Sequence, residues 1–200
     1  MGNTTRDPNS NLPDKQKDKL YPIVLKLFST KDFHHVSMRE ISRLSGLSTT
    51  TLYRYFPSKE SLLFSILNEK IGLLADKTRL HVQGLESTRE MFRKIFWVTL
   101  DHYDCNPGLA VTVFITAPTH SWIAEKSYVR KDAYDILHET IKYGREHGEI
   151  DPEISDEQII DLYFMYCHRQ VLLWYFRNQA STLVESIGKF FNVFWKAIAA

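Results

Sequence analysis

The stretch VSMREISRLSGLSTTTLYRYFPSKESLL, residues 36–63, determines how the rest of this 200-residue chain is interpreted. Ser37 precedes a helical run and suits an N-cap, because its hydroxyl can accept a free amide proton of the first turn. Glu40 stands three residues later, which predicts a capping box. Gly46 is placed to end this helix in the left-handed conformation common at helix exits, and Ser48 is placed to cap a second short helix. Two short helices joined by a glycine-containing turn predict a helix-turn-helix unit.

The residues that lead the second helix are small and polar, as is required of a helix whose first turn approaches base edges in the major groove. Hydroxyl and cationic side chains nearby are of the kind that hold phosphates. The predicted DNA-binding residues are Ser37, Arg39, Thr49, Thr50, Thr51, Tyr53, Arg54 and Lys59. Among them, the threonines and the two arginines are assigned mainly to the groove, and the other three to phosphates. The alternative for each is a solvated surface residue or a helix cap.

The segment GLSTTTLYRYFPSKESLL resembles the signature of the TetR/AcrR family of bacterial transcriptional repressors. The shared positions are Gly46, Leu47, Ser48, Leu52, Tyr53, Tyr55, Phe56, Lys59, Glu60 and Leu63. The close match covers about residues 15–70. The resemblance implies phosphate contacts most clearly for Tyr53 and Lys59, and it supports a groove contact for Arg39. Pro22 departs from the family pattern, which usually has a good helix former there.

Charge is distributed unevenly along the chain. Residues 1–70 carry eleven Lys/Arg and seven Asp/Glu, whereas residues 71–200 carry fourteen and seventeen, so a basic front part precedes a mildly acidic one. This division is typical of a nucleic-acid-binding domain attached to a second domain. Apolar residues at 44% and charged residues at 24% are ordinary for a globular protein.

Helical spacing of apolar residues predicts an all-α chain of about nine helices without strand alternation. We expect a disordered arm over residues 1–13, a helix-turn-helix domain over 14–70, and a ligand-binding and dimerisation domain over 71–200. The first helix is predicted over Asp14–Thr30, with a kink or restart at Pro22, because proline removes an amide proton.

Aromatic residues accumulate in the second domain, where hydrophobic pockets between bundled helices use such side chains as walls. The resemblance implies a small effector that disfavours DNA binding, and the aromatic walls suggest an apolar or aromatic ligand such as a fatty acyl chain, a drug or a dye. The predicted ligand-binding residues are Phe96, Leu100, Tyr103, Phe114, Trp122, Tyr134, His138, Tyr163 and Tyr166. The alternative for any one of them is ordinary core packing.

The last two predicted helices are too apolar for one small bundle to hide. The resemblance implies a homodimer in which they form a four-helix bundle with the partner's pair, and a two-fold dimer doubles the DNA contact of a single helix-turn-helix unit. The predicted interface residues are Ile187, Phe190, Phe191, Phe194 and Trp195, with core packing as the alternative.

Enzyme motifs are weak in this sequence. His138-Glu139 lacks the second histidine of the zinc protease spacing, and no glycine-rich phosphate loop is present. Cys105 and Cys167 lack CxxC spacing, so free thiols are expected, and we predict no cofactor or metal. The sequence therefore predicts a cytoplasmic, effector-released DNA-binding repressor. Two alternatives remain: a constitutive DNA-binding regulator without an effector, and a small-molecule-binding helical protein with a vestigial helix-turn-helix.

Overall fold

A computed structural model describes residues 12–117 and 131–200, with the backbone alone for 131–133. These residues form nine α-helices: α1 Asp14–Thr30, α2 Met38–Ser45, α3 Thr49–Tyr55, α4 Lys59–Val82, α5 Thr88–Cys105, α6 Pro107–Val111, α7 Lys131–Glu146, α8 Asp156–Phe176 and α9 Ile187–Ile198. Short 3₁₀ turns precede α2 and α9, and a π-helical turn over Thr112–Thr116 follows α6. Apart from one antiparallel bridge between Ile150 and Ala199, the described ranges contain no β-structure. The predicted all-α fold is confirmed.

The first helix begins and ends at the predicted residues. It passes through Pro22 without a break, although a kink or restart was predicted there. Its buried face includes Leu20, Val24 and Phe28, and these contacts hold the helix across the proline. Of the predicted disordered arm, residues 1–11 lie outside the described ranges. Leu12 is 3% exposed and belongs to the core rather than to an arm.

The fourth helix is the longest, at 24 residues, and it connects the N-terminal unit to the body. Its first half buries Leu62, Leu63 and Ile66, and its second half buries Leu74 and other side chains. The first half of α4 packs with α1, and the helix as a whole makes its most extensive packing with α5. One continuous helix therefore contributes side chains to the cores of both units.

The body is built around Phe96 of α5, which is fully buried. Its ring centroid lies 4.8 Å from that of Tyr163, 5.2 Å from that of Tyr166 and 4.9 Å from that of Phe194. Aromatic pairs at such distances add stabilisation beyond the area they bury. Helices α5, α8 and α9 are therefore held together by one aromatic cluster.

The last helix directs its aromatic stripe inward, which corrects part of the predicted dimer interface. Ile187, Phe191 and Phe194 are buried inside the protomer, so they form core rather than free surface. Phe190 and Trp195 are half-buried, and the Phe190 ring stacks 3.5 Å from that of Tyr166. The helix is apolar on more than one side, and sequence spacing alone did not distinguish the inner side from the outer one.

Candidate DNA-binding surface and ligand cavity

The helix-turn-helix is fixed by local capping. Ser37 Oγ accepts the amide proton of Glu40 at 3.2 Å, and Ser48 Oγ accepts that of Thr51 at 3.0 Å. Gly46 has φ +71°, as predicted for the turn between the helices. The predicted capping box at α2 is only half formed, because the Glu40 carboxylate accepts a hydrogen bond from Lys31 Nζ at 2.6 Å instead.

The third helix buries one side and exposes the other. Leu52 is fully buried, and Phe56 at the end of the helix is buried too. On the opposite face, Thr50, Tyr53 and Arg54 are exposed, and 49% of the surface of Tyr53 is accessible to solvent. This exposed face has the composition that groove and phosphate contacts require.

The predicted DNA-binding residues divide into free groups and groups with a structural partner. Arg39 and Arg54 are exposed and, within the described residues, form no ion pair, so their guanidinium groups are available. Ser37 is occupied as an N-cap, and Thr51 Oγ1 shares a 2.8 Å hydrogen bond with Ser48 Oγ. Thr49 is half-buried at the start of α3.

Lys59 has a role that the sequence did not indicate. Its ammonium donates to the carbonyl oxygens of Phe33 at 2.8 Å, Val36 at 2.9 Å and His34 at 3.3 Å. It also lies 4.9 Å from the centroid of the Phe33 ring. An ammonium group has three protons, and all three are directed to the turn before α2. The predicted phosphate contact would require the ammonium to leave at least one of these carbonyls.

A cavity of about 60 Å³ lies in the body, bounded by α4, α5, the π-helical turn, α7 and α8. The wall from α4 consists of Ile71, Leu74, Ala75 and Thr78, which recur at helical spacing. Cavities that hold drug-sized ligands measure roughly 300–1,000 Å³. A ligand of that size would therefore have to push the walls apart.

The cavity wall carries a small polar group in an apolar setting. The hydroxyls of Thr99 and Tyr163 share a hydrogen bond of 2.7 Å, and Cys167 lies beside them. Burial raises the pKa of Tyr163 well above its ordinary value, and burial raises the pKa of Cys167 to about 12. Both groups are therefore neutral at physiological pH.

Three of the predicted ligand-binding residues, Tyr103, Phe114 and Tyr163, line this cavity. Phe96, Leu100 and Tyr166 are buried outside its lining, in the core of the body. The other three predicted residues do not support the cavity: Tyr134 and His138 are exposed, and Trp122 lies outside the described residues. His138 Nδ1 lies instead 3.1 Å from an Asp156 carboxylate oxygen.

The sequence missed the α4 side of the cavity and the Thr99 hydroxyl. Apolar residues recur at helical spacing along α4, but such a stripe does not show whether it borders a cavity or dense core. The available signal for Thr99 is its position among the apolar residues of α5 that face the core. Its partner Tyr163 is 64 residues away, so the pair depends on tertiary structure.

The π-helical turn joins the cavity to the N-terminal unit. Phe114 forms part of the cavity wall, with its ring 5.1 Å from that of Tyr103, and its carbonyl oxygen lies 3.3 Å from His168 Nε2. At the other end, Gly108 of α6 faces α1, where an added methyl group would lie 3.5 Å from the Leu25 carbonyl oxygen. One short segment thus contacts both the cavity and the first helix.

Other site types are not found in the described ranges. There, no group of three or more His, Cys, Asp or Glu side chains is arranged to hold a metal ion. Likewise, none of the described helices combines the length and apolar character needed to cross a membrane.

A helix-turn-helix with one exposed polar face, mounted on a helical body with its own cavity, defines the class of helix-turn-helix regulatory proteins. Residues 25–66 match the family model described as bacterial regulatory proteins, tetR family. Over these residues the chain carries the helix-turn-helix domain of TetR-family regulators, as the sequence resemblance indicated. The matched family is one of transcriptional regulators, which agrees with the expectation that the chain is not an enzyme.

Curated relatives match this chain over different lengths. The uncharacterized HTH-type transcriptional regulator YuxN of Bacillus subtilis (strain 168) is 36% identical over 99 residues, which are 45% of this chain and 33% of that protein. The fatty acid metabolism regulator protein of the same organism is 22% identical over 179 residues, covering 85% of this chain and 91% of that protein. The chain spans between a third and a half of the length of the first curated relatives it matches.

Solved structures of similar fold include two named FadR. The fatty acid degradation regulator FadR of Bacillus halodurans has a TM-score of 0.84 at 18% identity, over 94% of this chain and 97% of that one. FadR of Bacillus subtilis in complex with stearoyl-CoA has a TM-score of 0.80 at 17% identity, over 88% and 96% of the two chains. At these identities the likeness shows the fold.

Proposed function

We propose that this chain binds operator DNA as a two-fold dimer through α3 and that a small apolar effector in the body cavity releases it. The observation that carries the DNA-binding half is the exposed polar face of α3, with Arg39 of α2 free beside it. Helix α3 follows a glycine turn and exposes Thr, Tyr and Arg side chains together. Such side chains are the ones that contact base edges and phosphates in the major groove, whereas an ordinary solvated surface has no need of them.

DNA binding by a dimer places two recognition helices about 34–36 Å apart, one turn of B-DNA. Thr49, Thr50 and Arg54 contact base edges, while Tyr53 contacts a phosphate. Contacts of both kinds on two half-sites give an affinity that depends steeply on salt, because each neutralised phosphate releases counterions.

The second copy of the chain covers an apolar surface on α8 and α9. Met165 and Phe176, eleven residues apart on α8, are 62% and 72% exposed, and Val193 of α9 is 62% exposed. These side chains lie on the outside of the two helices that the sequence assigned to dimerisation. Phe176→Asp should lower the dimer fraction in sedimentation velocity, whereas Leu80→Asp, at an equally exposed apolar residue on α4, should not.

The effector acts by population shift between two separations of the recognition helices. Filling the cavity displaces Phe114, and the π-helical turn and α6 transmit this shift to α1 at Leu25. A coupling free energy of roughly 1–3 kcal/mol changes DNA affinity about 5- to 150-fold. The complex of Bacillus subtilis FadR with stearoyl-CoA, a protein of the same fold, supports an acyl chain as the apolar part of the effector.

The experiment is fluorescence anisotropy with a duplex from immediately upstream of the gene that encodes this chain, measured as a salt series. Arg54→Ala should weaken binding, and Arg93→Ala, an exposed arginine on α5, is the matched control. Equal binding by both variants, or no binding to this duplex and to a random pool at low salt, would overturn the proposed DNA contact.

A constitutive regulator without an effector is the second candidate function, and the small cavity volume favours it. If a broad set of apolar ligands neither raises the melting temperature nor changes DNA affinity, the cavity is a packing gap and this candidate is correct.

A further inference from the structure

The cavity offers one hydrogen bond that the protein does not use fully. Thr99 and Tyr163 carry one hydroxyl proton each, but the 2.7 Å bond between them uses only one proton. Whichever hydroxyl donates, the other keeps a proton to give. When Thr99 donates, the Tyr163 proton is directed to the Cys167 sulfur, a weak acceptor, and an oxygen acceptor on a ligand would take this proton more readily.

The described lining of the cavity also contains no counterion. In the described part of the chain, its lining consists of apolar side chains, hydroxyls and one thiol, without a charged group. An ionised ligand buried there without a partner would pay a desolvation penalty of several kcal/mol. The wall therefore disfavours carboxylates and ammonium groups alike, which narrows the choice among acyl chains, drugs and dyes.

We propose that the cavity selects an uncharged ligand in which an apolar chain ends in a carbonyl group, as in a ketone, an ester or a thioester. The carbonyl oxygen accepts the spare proton of the Thr99–Tyr163 pair, and the chain fills the space beside Leu74 and Phe114. This inference rests on the proposed function and names the ligand class of the same cavity.

The test uses three probes of similar size with the full-length protein. They are 2-octanone, 2-methyl-1-octene, in which a methylene group replaces the carbonyl oxygen, and octanoate at pH 8. Binding is measured by isothermal titration calorimetry for the wild type and for the double variant Thr99→Val/Tyr163→Phe. Thr78→Val is the matched control, because Thr78 lines the same cavity but its hydroxyl donates to the Leu74 carbonyl at 2.8 Å.

We expect the affinity ratio of ketone to alkene to fall about 5- to 10-fold in the double variant. The reason is that one hydrogen bond to the ligand changes its affinity by about this factor. The ratio should stay unchanged in Thr78→Val, and octanoate should bind the wild type at least 10-fold more weakly than the ketone. An unchanged ratio in the double variant, octanoate binding as tight as ketone binding, or no binding of any probe would each overturn the proposal.

Failure of the proposed function gives a different result. If the ketone binds with the expected ratio but leaves DNA affinity unchanged, the ligand class is correct and the release of DNA by an effector is not. If DNA binding is absent while the ketone binds, the DNA-binding half of the proposed function fails alone.

Discussion

Replacing Lys59 with methionine distinguishes a structural role from a phosphate contact. Methionine keeps the apolar stem of the side chain and removes the three protons that Lys59 donates to the carbonyls of residues 33, 34 and 36. A second consequence is loss of the cation over the Phe33 ring. The carbonyls then face water or remain without a donor.

The size of the effect follows from these contacts. A hydrogen bond to a charged group contributes about 1.5–3 kcal/mol. Lys59 is only half-buried, and water can replace part of each bond, so we expect the variant to lose about 2–3 kcal/mol in total. For a chain of this length, that corresponds to a melting temperature lower by about 4–12 °C.

Two measurements separate the roles. The first is thermal unfolding followed by circular dichroism, with Lys142→Met as a control that removes an exposed lysine. The second is the slope of log affinity for DNA against log salt concentration. A lost phosphate contact lowers this slope by about 0.9. A structural lysine leaves the slope unchanged once the comparison is made at a temperature where the variant is folded.

An unchanged melting temperature together with a slope lower by about 0.9 would refute the structural role of Lys59. It would show that the ammonium exchanges its carbonyl partners for a phosphate on the DNA, as the family resemblance implies. A lower melting temperature with an unchanged slope would confirm that Lys59 positions the start of α4 against α2.

Four further substitutions test side-chain packing, backbone strain and one ion pair in the body. Gly144→Ala should destabilise by about 1–3 kcal/mol, because the new methyl group would lie 2.6 Å from an Ile150 carbon. Gly72→Ala, with open space around it, should instead stabilise slightly in the same thermal unfolding assay. Gln179→Gly should raise the free energy of unfolding by about 1 kcal/mol in urea titrations, because Gln179 has φ +59°. The pKa of Asp156 is lowered, since hydrogen bonds from His138 and Arg145 outweigh burial, which alone would raise it. Because the folded pKa lies below the unfolded one, this stabilisation is present above the unfolded value of 3.8 and is lost as pH falls through the folded pKa. The stability difference between wild type and Asp156→Asn should therefore disappear on acidification, and a difference that persists at pH 2 would contradict this assignment.

The helix-turn-helix could be predicted because its signals are local. Ser37, Gly46 and Ser48 act on amides or backbone angles within three residues of themselves, so their positions in the sequence determine their roles. The partners of Lys59 are 23 to 26 residues away and became visible only when α4 was placed against the turn before α2. Spacing within one helix carries no information about such contacts.

The proposed dimer surface and the cavity could be predicted only as regions. The last helix is rich in aromatic residues, and the stripe chosen from the sequence proved to be the one that packs on Phe96. The sequence does not single out exposed residues such as Phe176 and Val193, because apolar residues lie on more than one side of both helices. A cavity forms where the side chains of neighbouring helices leave space unfilled. The aromatic content of one helix does not show where this happens.

The contacts of α1 explain why a ligand in the body should move the DNA-binding surface as a unit. Glu69 of α4 accepts hydrogen bonds from Lys17 Nζ at 2.8 Å and from the Tyr21 hydroxyl at 2.9 Å. These two hydrogen bonds connect α1 to α4. Gly108 of α6 faces the same helix from the other side, against Leu25. A displacement of α6 therefore pushes on a helix that is bound to α4 by hydrogen bonds and to α2 by packing. Because α4 also forms one wall of the cavity, the proposed ligand would act on the N-terminal unit by two routes, directly along α4 and through α6 and α1. Rotation of the whole helix-turn-helix, rather than distortion of α3 alone, is the response that such a double attachment favours.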